Sequence, residues 1–168
     1  MKKQFIILLL LPLVIFSQEN SNFKFKSISV SPLAAFTGGN HGGFVIGGDL
    51  GIAYKENIFL LSAQFGQEFV VLSSYRDSFS TLSLSWGRIF EWTSWLQWDA
   101  FAGLSYFYYK EKNVAIRGYD RTSTIGFPIT SSLKFMIGDY FSIGPQVRVH
   151  LNSIQSILTM GINFQVTF

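Results

Sequence analysis

The side chains of this chain that could do chemistry are few and widely spread. They include carboxylates, a lysine, an arginine and a histidine, which could pair as ions, move a proton or line a path for ions. Each lies where polar and apolar residues alternate, so counting by twos decides which side chains share a face. The candidates for one polar network are Asp49, Gln64, Glu68, Asp99, Lys134, Arg148 and His150.

Histidine is the side chain best suited to act as a base near neutral pH, and the chain has two. His41 lies in GGNHGG without a nearby acid, which supports neither a metal site nor a general base. His150 stands in VRVHLNS, which resembles the His-x-Ser arrangement of the outer-membrane lipid A deacylases, whose histidine activates a serine nucleophile. Here Asn152 occupies the serine position, and Ser153 would point to the opposite face of a strand. The implied nucleophile is missing, so we expect no enzyme.

The chain has no cysteine, which excludes disulfides and thiolate metal sites. The sequence also shows no phosphate-binding loop and no pair of carboxylates at a spacing suited to glycoside hydrolysis. We therefore expect neither a metal nor a cofactor.

Strict alternation of apolar and polar residues, typical of a strand with two different faces, recurs eight times. Leu82, Leu84 and Trp86, for example, alternate with Ser83 and Ser85. Strands of this length can cross a membrane when tilted, since about 9 to 11 residues suffice. The predicted strands are 26–36, 43–54, 58–70, 79–91, 96–109, 124–137, 141–151 and 156–168.

The composition indicates which face is turned outward. The chain is 48% hydrophobic and 17% aromatic but only 14% charged, against roughly 25% charged in soluble domains. The polar faces are rich in Ser and Gly and poor in the Lys and Glu that a water-exposed surface carries. We therefore predict that the apolar faces meet lipid and that the small polar residues fill a narrow lumen.

The N-terminus predicts export. MKKQFIILLLLPLVIFSQ has two lysines, an apolar run from Phe5 to Phe16 and the small residue Ser17, which is the layout of a secretory signal peptide. The run is shorter than the roughly 20 residues of a membrane-spanning helix. We expect cleavage after Ser17, so that 1–17 is the signal peptide and 18–168 the mature domain. Losing Lys2 and Lys3 lowers the net charge from +3 to +1, which excludes a concentrated basic face for nucleic acid.

Link lengths predict an up-and-down arrangement, because short links at 55–57, 91–95 and 138–140 alternate with longer ones at 37–43, 71–78 and 110–121. The predicted fold is an all-β, eight-stranded antiparallel transmembrane β-barrel. Pro128 and Pro145 fall inside predicted strands and are predicted to mark bulges, since proline lacks the ladder donor.

An eight-stranded barrel leaves an interior just wide enough for side chains, so the polar network is predicted to plug it. Unpaired charges there would be costly. Asp99 and Lys134 lie equally far from the ends of neighbouring strands and are predicted to pair. Arg148 and Glu68 are predicted to meet across the lumen. The open alternatives are a narrow passive pore and a lipid A-modifying hydrolase that depends on His150, and the runner-up fold is a secreted lipocalin-like barrel.

The chain ends on GINFQVTF, although terminal residues are usually frayed. A closed barrel explains this, because the last strand pairs with the first. The stretch TMGINFQVTF resembles the C-terminal signal of outer-membrane barrels that their assembly machinery reads, through Gly161, Phe164, Val166 and Phe168. With the leader and the eight segments, the whole mature chain resembles the small eight-stranded outer-membrane proteins of the OmpA and OmpX type.

This resemblance implies a non-enzymatic integral protein of a Gram-negative outer membrane with a structural or surface-interaction role. The implied partners are outer-membrane lipid, lipopolysaccharide and the barrel-assembly machinery, and the protein is expected to be a monomer. The predicted loop 110–121 has two interpretations, a charged loop that is simply solvated or a contact site for lipopolysaccharide or a surface partner. Its basic residues are Lys110, Lys112, Arg117 and Arg121.

Overall fold

The computed structural model describes residues 23–38, 41–55, 57–68, 77–113 and 118–168, so the predicted signal peptide lies outside the described residues. These residues form eight antiparallel strands in a closed barrel, in which each strand pairs with its neighbours in sequence and β1 pairs with β8. The strands are β1 (Phe23–Gly38), β2 (His41–Tyr54), β3 (Asn57–Glu68), β4 (Ser78–Glu91), β5 (Leu96–Asn113), β6 (Gly118–Ile137), β7 (Phe141–Asn152) and β8 (Ile157–Thr167).

The barrel has two unlike ends. The turn end carries both ends of the described chain and the short links 55–56, 92–95 and 138–140. The loop end carries the links 39–40, 69–77, 114–117 and 153–156. In the described part of the chain, no helix is long and apolar enough to cross a membrane.

The predicted class and strand count are confirmed, but β1, β2, β5 and β6 reach further at the loop end than predicted. The predicted end of β3 at 69–70 lies outside the described residues. Most of the predicted loop 110–121 is strand, since Lys110 pairs with Arg121 and Asn113 with Gly118. Likewise, most of the link 37–43 is paired strand. The alternation of apolar and polar residues ends where the outward face stops being apolar, so it could not predict the strand residues beyond that level. Backbone pairing continues there.

The prediction that Pro128 and Pro145 mark bulges is wrong. Near Pro128, the two residues of β5 between Ala102 and Ser105 are not paired with β6. On both sides of this gap the two strands pair in the same register, so no residue has been inserted. The pairing of β6 with β7 has the same kind of gap opposite Pro145. A proline in an antiparallel ladder removes one donor toward one neighbour, and here the strand absorbs that loss without inserting a residue.

Gly144, next to Pro145, marks a close approach of two strands. A Cβ added there would lie 1.8 Å from the carbonyl oxygen of Leu133 on β6. Only glycine fits at this position of the lumen wall, so β6 and β7 can approach where proline has interrupted their ladder.

The real irregularities lie in β1, where the register shifts between Phe25 and Ser27 and again between Ser31 and Ala34. The second shift reverses the alternation. Phe36, which the sequence pattern places on the lipid-facing side, is therefore buried inside the barrel. A bulge of this kind changes which face every later residue of its strand occupies.

On the other strands the alternation runs as predicted along the middle of the barrel, with apolar residues outward. Leu84 is 57% exposed and its neighbour Ser83 only 2%. Large apolar side chains cover the outer wall all the way round, forming an apolar belt far larger than the patches that water-soluble monomers expose. Examples from successive strands are Val30, Ile46, Phe65, Leu84, Leu104, Ile129, Val147 and Ile162.

Candidate functional site

The centre of the lumen holds a buried ion pair between Arg148 of β7 and Asp49 of β2. Arg148 Nη2 donates to Asp49 Oδ1 at 2.7 Å, and both side chains are at most 4% exposed. Arg148 Nε donates to Thr130 Oγ1 at 2.8 Å, because Thr130 lies directly opposite on β6. The hydroxyl of Thr159, opposite on β8, donates to the Arg148 carbonyl at 3.2 Å. The guanidinium is thus held from β2 and β6, while β8 holds the backbone of Arg148.

The Asp49 carboxylate accepts hydrogen bonds from further side chains. Ser29 Oγ donates to Asp49 Oδ2 at 3.1 Å, and Gln146 Nε2 approaches the same oxygen at 3.4 Å. Asn163 Nδ2 donates to Ser29 Oγ at 3.0 Å, which joins β8 to the cluster. A buried carboxylate is tolerated only when paired and hydrogen-bonded, and these contacts meet that requirement. We call this group, together with Arg148 and Thr130, the central network.

The predicted contact between Arg148 and Glu68 is wrong, because Arg148 pairs with Asp49. Glu68 ends β3 at the loop end, where its Oε2 accepts a weak hydrogen bond of 3.4 Å from the backbone N–H of Asp77. The strands of a barrel are staggered, so counting residues from the end of each strand does not give a common height.

Toward the turn end, Lys134 contacts Asp99 as an ion pair and also donates to Gln165 Oε1. Asp99 is opposite Ser132 in the register, and Lys134 is opposite Gln97, so the ion pair is a diagonal contact between neighbouring strands. All three side chains are buried, and Gln165 Nε2 donates onward to Thr167 Oγ1 at 3.1 Å. A second polar layer thus crosses the lumen.

His150 is completely buried, and its Nε2 lies 2.8 Å from Gln64 Oε1 across the lumen. Its Nδ1 has no hydrogen-bond partner among the described residues. Ser153 instead contacts Thr124 on the exposed side, with 2.9 Å between the two hydroxyl oxygens. The described residues therefore place no hydroxyl on either ring nitrogen of His150, and they contain no group of three potential metal ligands.

An apolar plug, which sequence reasoning missed, closes the lumen at the loop end. Phe79 is at the centre, edge-on to Phe36 with 5.0 Å between ring centroids and stacked on Phe107 at 5.8 Å. Phe79 is two residues from Thr81, and Phe107 is two residues from Ser105, so each ring is on the same face of its strand as a lumen residue. Counting by twos could therefore have placed both rings in the lumen. The plug consists of Phe36, Val45, Phe79, Phe107, Tyr109 and Ile157.

At the rim of the plug, Tyr109 Oη donates to Asp77 Oδ2 at 3.2 Å. This hydrogen bond joins the plug to Asp77, the residue that precedes β4. In the next row toward the loop end, Ser78 of β4 and Lys110 of β5 face each other on the outer wall.

Aromatic rings gather at the turn end, where all four tryptophans lie. Trp98 stacks on Phe90 with 5.0 Å between centroids, and its Nε1 donates to Ser131 Oγ at 2.9 Å. Trp86 Nε1 donates to Asn57 Oδ1 at 2.9 Å. Rings with an apolar body and a satisfied polar edge are typical of a membrane interface.

Contacts with β1 hold the C-terminal segment in place as far as its final residue, Phe168. The backbone N–H of Phe168 donates to the carbonyl of Lys26 at 2.9 Å, and its ring lies 5.0 Å from that of Phe25. Gly161 and Val166 pair with Ala34 and Ile28 of β1, while Phe164 pairs with Val30. Whether these residues are read during assembly remains a prediction.

The extended β5–β6 hairpin presents the predicted basic residues. Lys110 and Arg121 are opposite each other, and Lys110 Nζ lies 3.9 Å from the centroid of the Tyr119 ring. The backbone of Lys112 continues β5, but its side chain and the whole of Arg117 lie outside the described residues.

The geometry defines a closed, side-chain-filled barrel with an apolar outer wall, and this is the fold of the small eight-stranded outer-membrane barrels. Neisserial surface protein A is similar over 88% of this chain and 98% of its own, with a TM-score of 0.68 at 13% identity. Ail, the attachment invasion locus protein of Yersinia pestis, is similar over 86% and 99%, with a TM-score of 0.55 at 14% identity.

The N-terminal barrel domain of Pseudomonas aeruginosa OprF is similar over 83% of this chain and 96% of its own, with a TM-score of 0.53 at 17% identity. No protein-family model matches the sequence, and no curated protein matches it either. The likeness is therefore one of fold.

Proposed function

We propose that this chain is an integral, non-enzymatic protein of a Gram-negative outer membrane, exported by its N-terminal leader and inserted as a monomer by the barrel-assembly machinery. The observation that carries the proposal is the apolar belt around a lumen sealed by ion pairs and the apolar plug. A wall of this kind is stable only against acyl chains. The turn end then faces the periplasm and the loop end faces outward.

Fractionation and gel migration test this proposal together. The chain made in a Gram-negative host should be found in the outer-membrane fraction, and unboiled samples should migrate differently from boiled ones, because a closed barrel resists unfolding by detergent. Recovery in the soluble fraction with no difference between boiled and unboiled samples would contradict the proposal.

The surface role is assigned to the β5–β6 hairpin, which carries Lys110 and Arg121 beyond the belt. Their charges complement the phosphates of lipopolysaccharide. The double variant Lys110→Gln, Arg121→Gln should bind lipopolysaccharide about 10- to 30-fold more weakly, since each basic residue near an anionic surface contributes about 1 kcal/mol.

The measurement uses the purified barrel in phosphatidylcholine nanodiscs, titrated with lipopolysaccharide. The double variant Lys24→Gln, Lys55→Gln removes the same charge from the turn end and serves as the control. Equal binding by wild type and by both double variants would remove the hairpin from the proposal.

The filled lumen supports a barrel that does not conduct. Planar bilayers should show no discrete conductance steps for the wild type. Steps that change when Lys134 or Arg148 is replaced would instead favour the passive pore.

A further inference from the structure

One groove on the outer wall near the turn end contains Arg88, a charged side chain without an ionic partner among the described residues. It has a volume of about 450 Å³, within the roughly 300–1,000 Å³ typical of small-molecule sites. Its lining is almost wholly apolar apart from Arg88, Thr130 and Ser131, and the Thr130 hydroxyl points into the lumen, where it accepts from Arg148. Arg88 points outward and makes no hydrogen bond or ion pair with any residue that the structure describes.

The register of three strands builds the groove row by row. Arg88 of β4, Ala100 of β5 and Ser131 of β6 form one row. The next row toward the loop end is Trp86, Ala102 and Ile129. The two alanines form a low floor along β5, and the larger side chains of β4 and β6 form its walls.

The turn end of this groove is closed by rings. Phe90 and Trp98 stack across β4 and β5 one row below Arg88. Trp98 Nε1 donates to Ser131 Oγ at 2.9 Å, which leaves the hydroxyl proton of Ser131 free to donate. Two donors, Arg88 and Ser131, thus flank Ala100 at the polar end of an otherwise apolar groove.

We propose that this groove binds one anionic glycerophospholipid. The phosphate lies over Ala100, between the Arg88 guanidinium and the Ser131 hydroxyl, and an acyl chain follows the floor over Ala102 toward the loop end. A guanidinium on an apolar wall favours an anion, and a phosphodiester offers oxygens that match its planar donors. The inference rests on the proposed membrane location, which places this row just inside the periplasmic interface.

Tryptophan quenching by brominated lipids tests the site. In a Trp92→Phe, Trp95→Phe background, Trp86 and Trp98 are the only indoles, and both line the groove. Brominated phosphatidylglycerol and brominated phosphatidylcholine are compared at equal, small mole fractions in phosphatidylcholine vesicles. The wild-type groove should prefer phosphatidylglycerol about fivefold, the factor expected for one basic residue near an anionic lipid.

Two variants separate the groove from charge alone. Arg88→Gln removes the cation and should abolish the preference. Ala102→Leu keeps the cation but fills the floor, and it should abolish the preference as well. Ala63→Leu makes the same change on the outward face of β3 and should leave the preference intact. Heat-modifiable migration checks that each variant is folded.

Equal quenching by the two lipids in the wild type would overturn the inference, as would a preference that survives either Arg88→Gln or Ala102→Leu. A wild-type dimer in detergent that Ala102→Leu converts to a monomer would assign the face to a second copy and would also overturn it. If neither brominated lipid quenches either indole, the chain has not inserted, and the proposed membrane location fails first.

Discussion

Replacing Asp49 with alanine is expected to lower the free energy of unfolding of the barrel by about 3–5 kcal/mol. Arg148 would keep its charge in a site where its side chain is only 2% exposed, and its Nη2 would lose the 2.7 Å contact to Asp49 Oδ1. Breaking one half of a buried pair costs more than removing both halves, because it leaves an uncompensated charge. Urea titration of the refolded barrel in vesicles, followed by tryptophan fluorescence, measures the change.

The double variant Asp49→Ala, Arg148→Met is the decisive control. Because it removes both charges, it should be more stable than Asp49→Ala alone, although Ser29 and Gln146 still lose their acceptor. Additive losses, with the double variant least stable of all, would show that the two residues act independently and that the central network is not organised around this pair.

Truncating Phe107 to alanine is expected to cost about 3–5 kcal/mol, the range for a large buried ring. Phe107 is fully buried between Phe79 and Tyr109, with ring centroids 5.8 and 6.2 Å away. The barrel is narrow around the plug, so the neighbouring side chains cannot move far enough to fill the cavity that the truncation leaves. The same urea titration measures the loss.

Phe127→Ala is the matched control, because Phe127 faces outward and is 58% exposed. Acyl chains can fill the space that it leaves, so its loss should be smaller than that of Phe107→Ala. Equal losses in the free energy of unfolding for Phe107→Ala and Phe127→Ala would contradict the packing of Phe107 inside the plug.

The alternation of residues predicted the fold because a strand has a period of two, and a lipid-facing wall makes every second residue apolar. Leu84 and Ser83 show this directly. The same rule failed for Phe36, since the register shift between Ser31 and Ala34 changes the face without leaving a mark in the local pattern.

Partners across the lumen were harder to predict than faces. Asp99 and Lys134 are on adjacent strands joined in register, so their contact could be anticipated from the sequence. Arg148 and Asp49 are on β7 and β2, and their meeting depends on the stagger of the strands and on the reach of a long side chain. The hairpin around Lys110 was missed for another reason, since it is held by pairing with Arg121 and its neighbours, and hydropathy does not record pairing.

The account depends on which side of the wall meets lipid, and spin-label accessibility measures this directly. The chain has no cysteine, so single cysteines at Leu84, Val147 and Phe164 can be labelled uniquely, with Ser83 and Gln146 as inward-facing counterparts. In vesicles, the three outward labels should be relaxed by membrane-dissolved oxygen and shielded from a water-soluble nickel complex, while the inward labels should be immobilised and reached poorly by oxygen. Free access of the nickel complex to the labels at Leu84, Val147 and Phe164 would contradict the account.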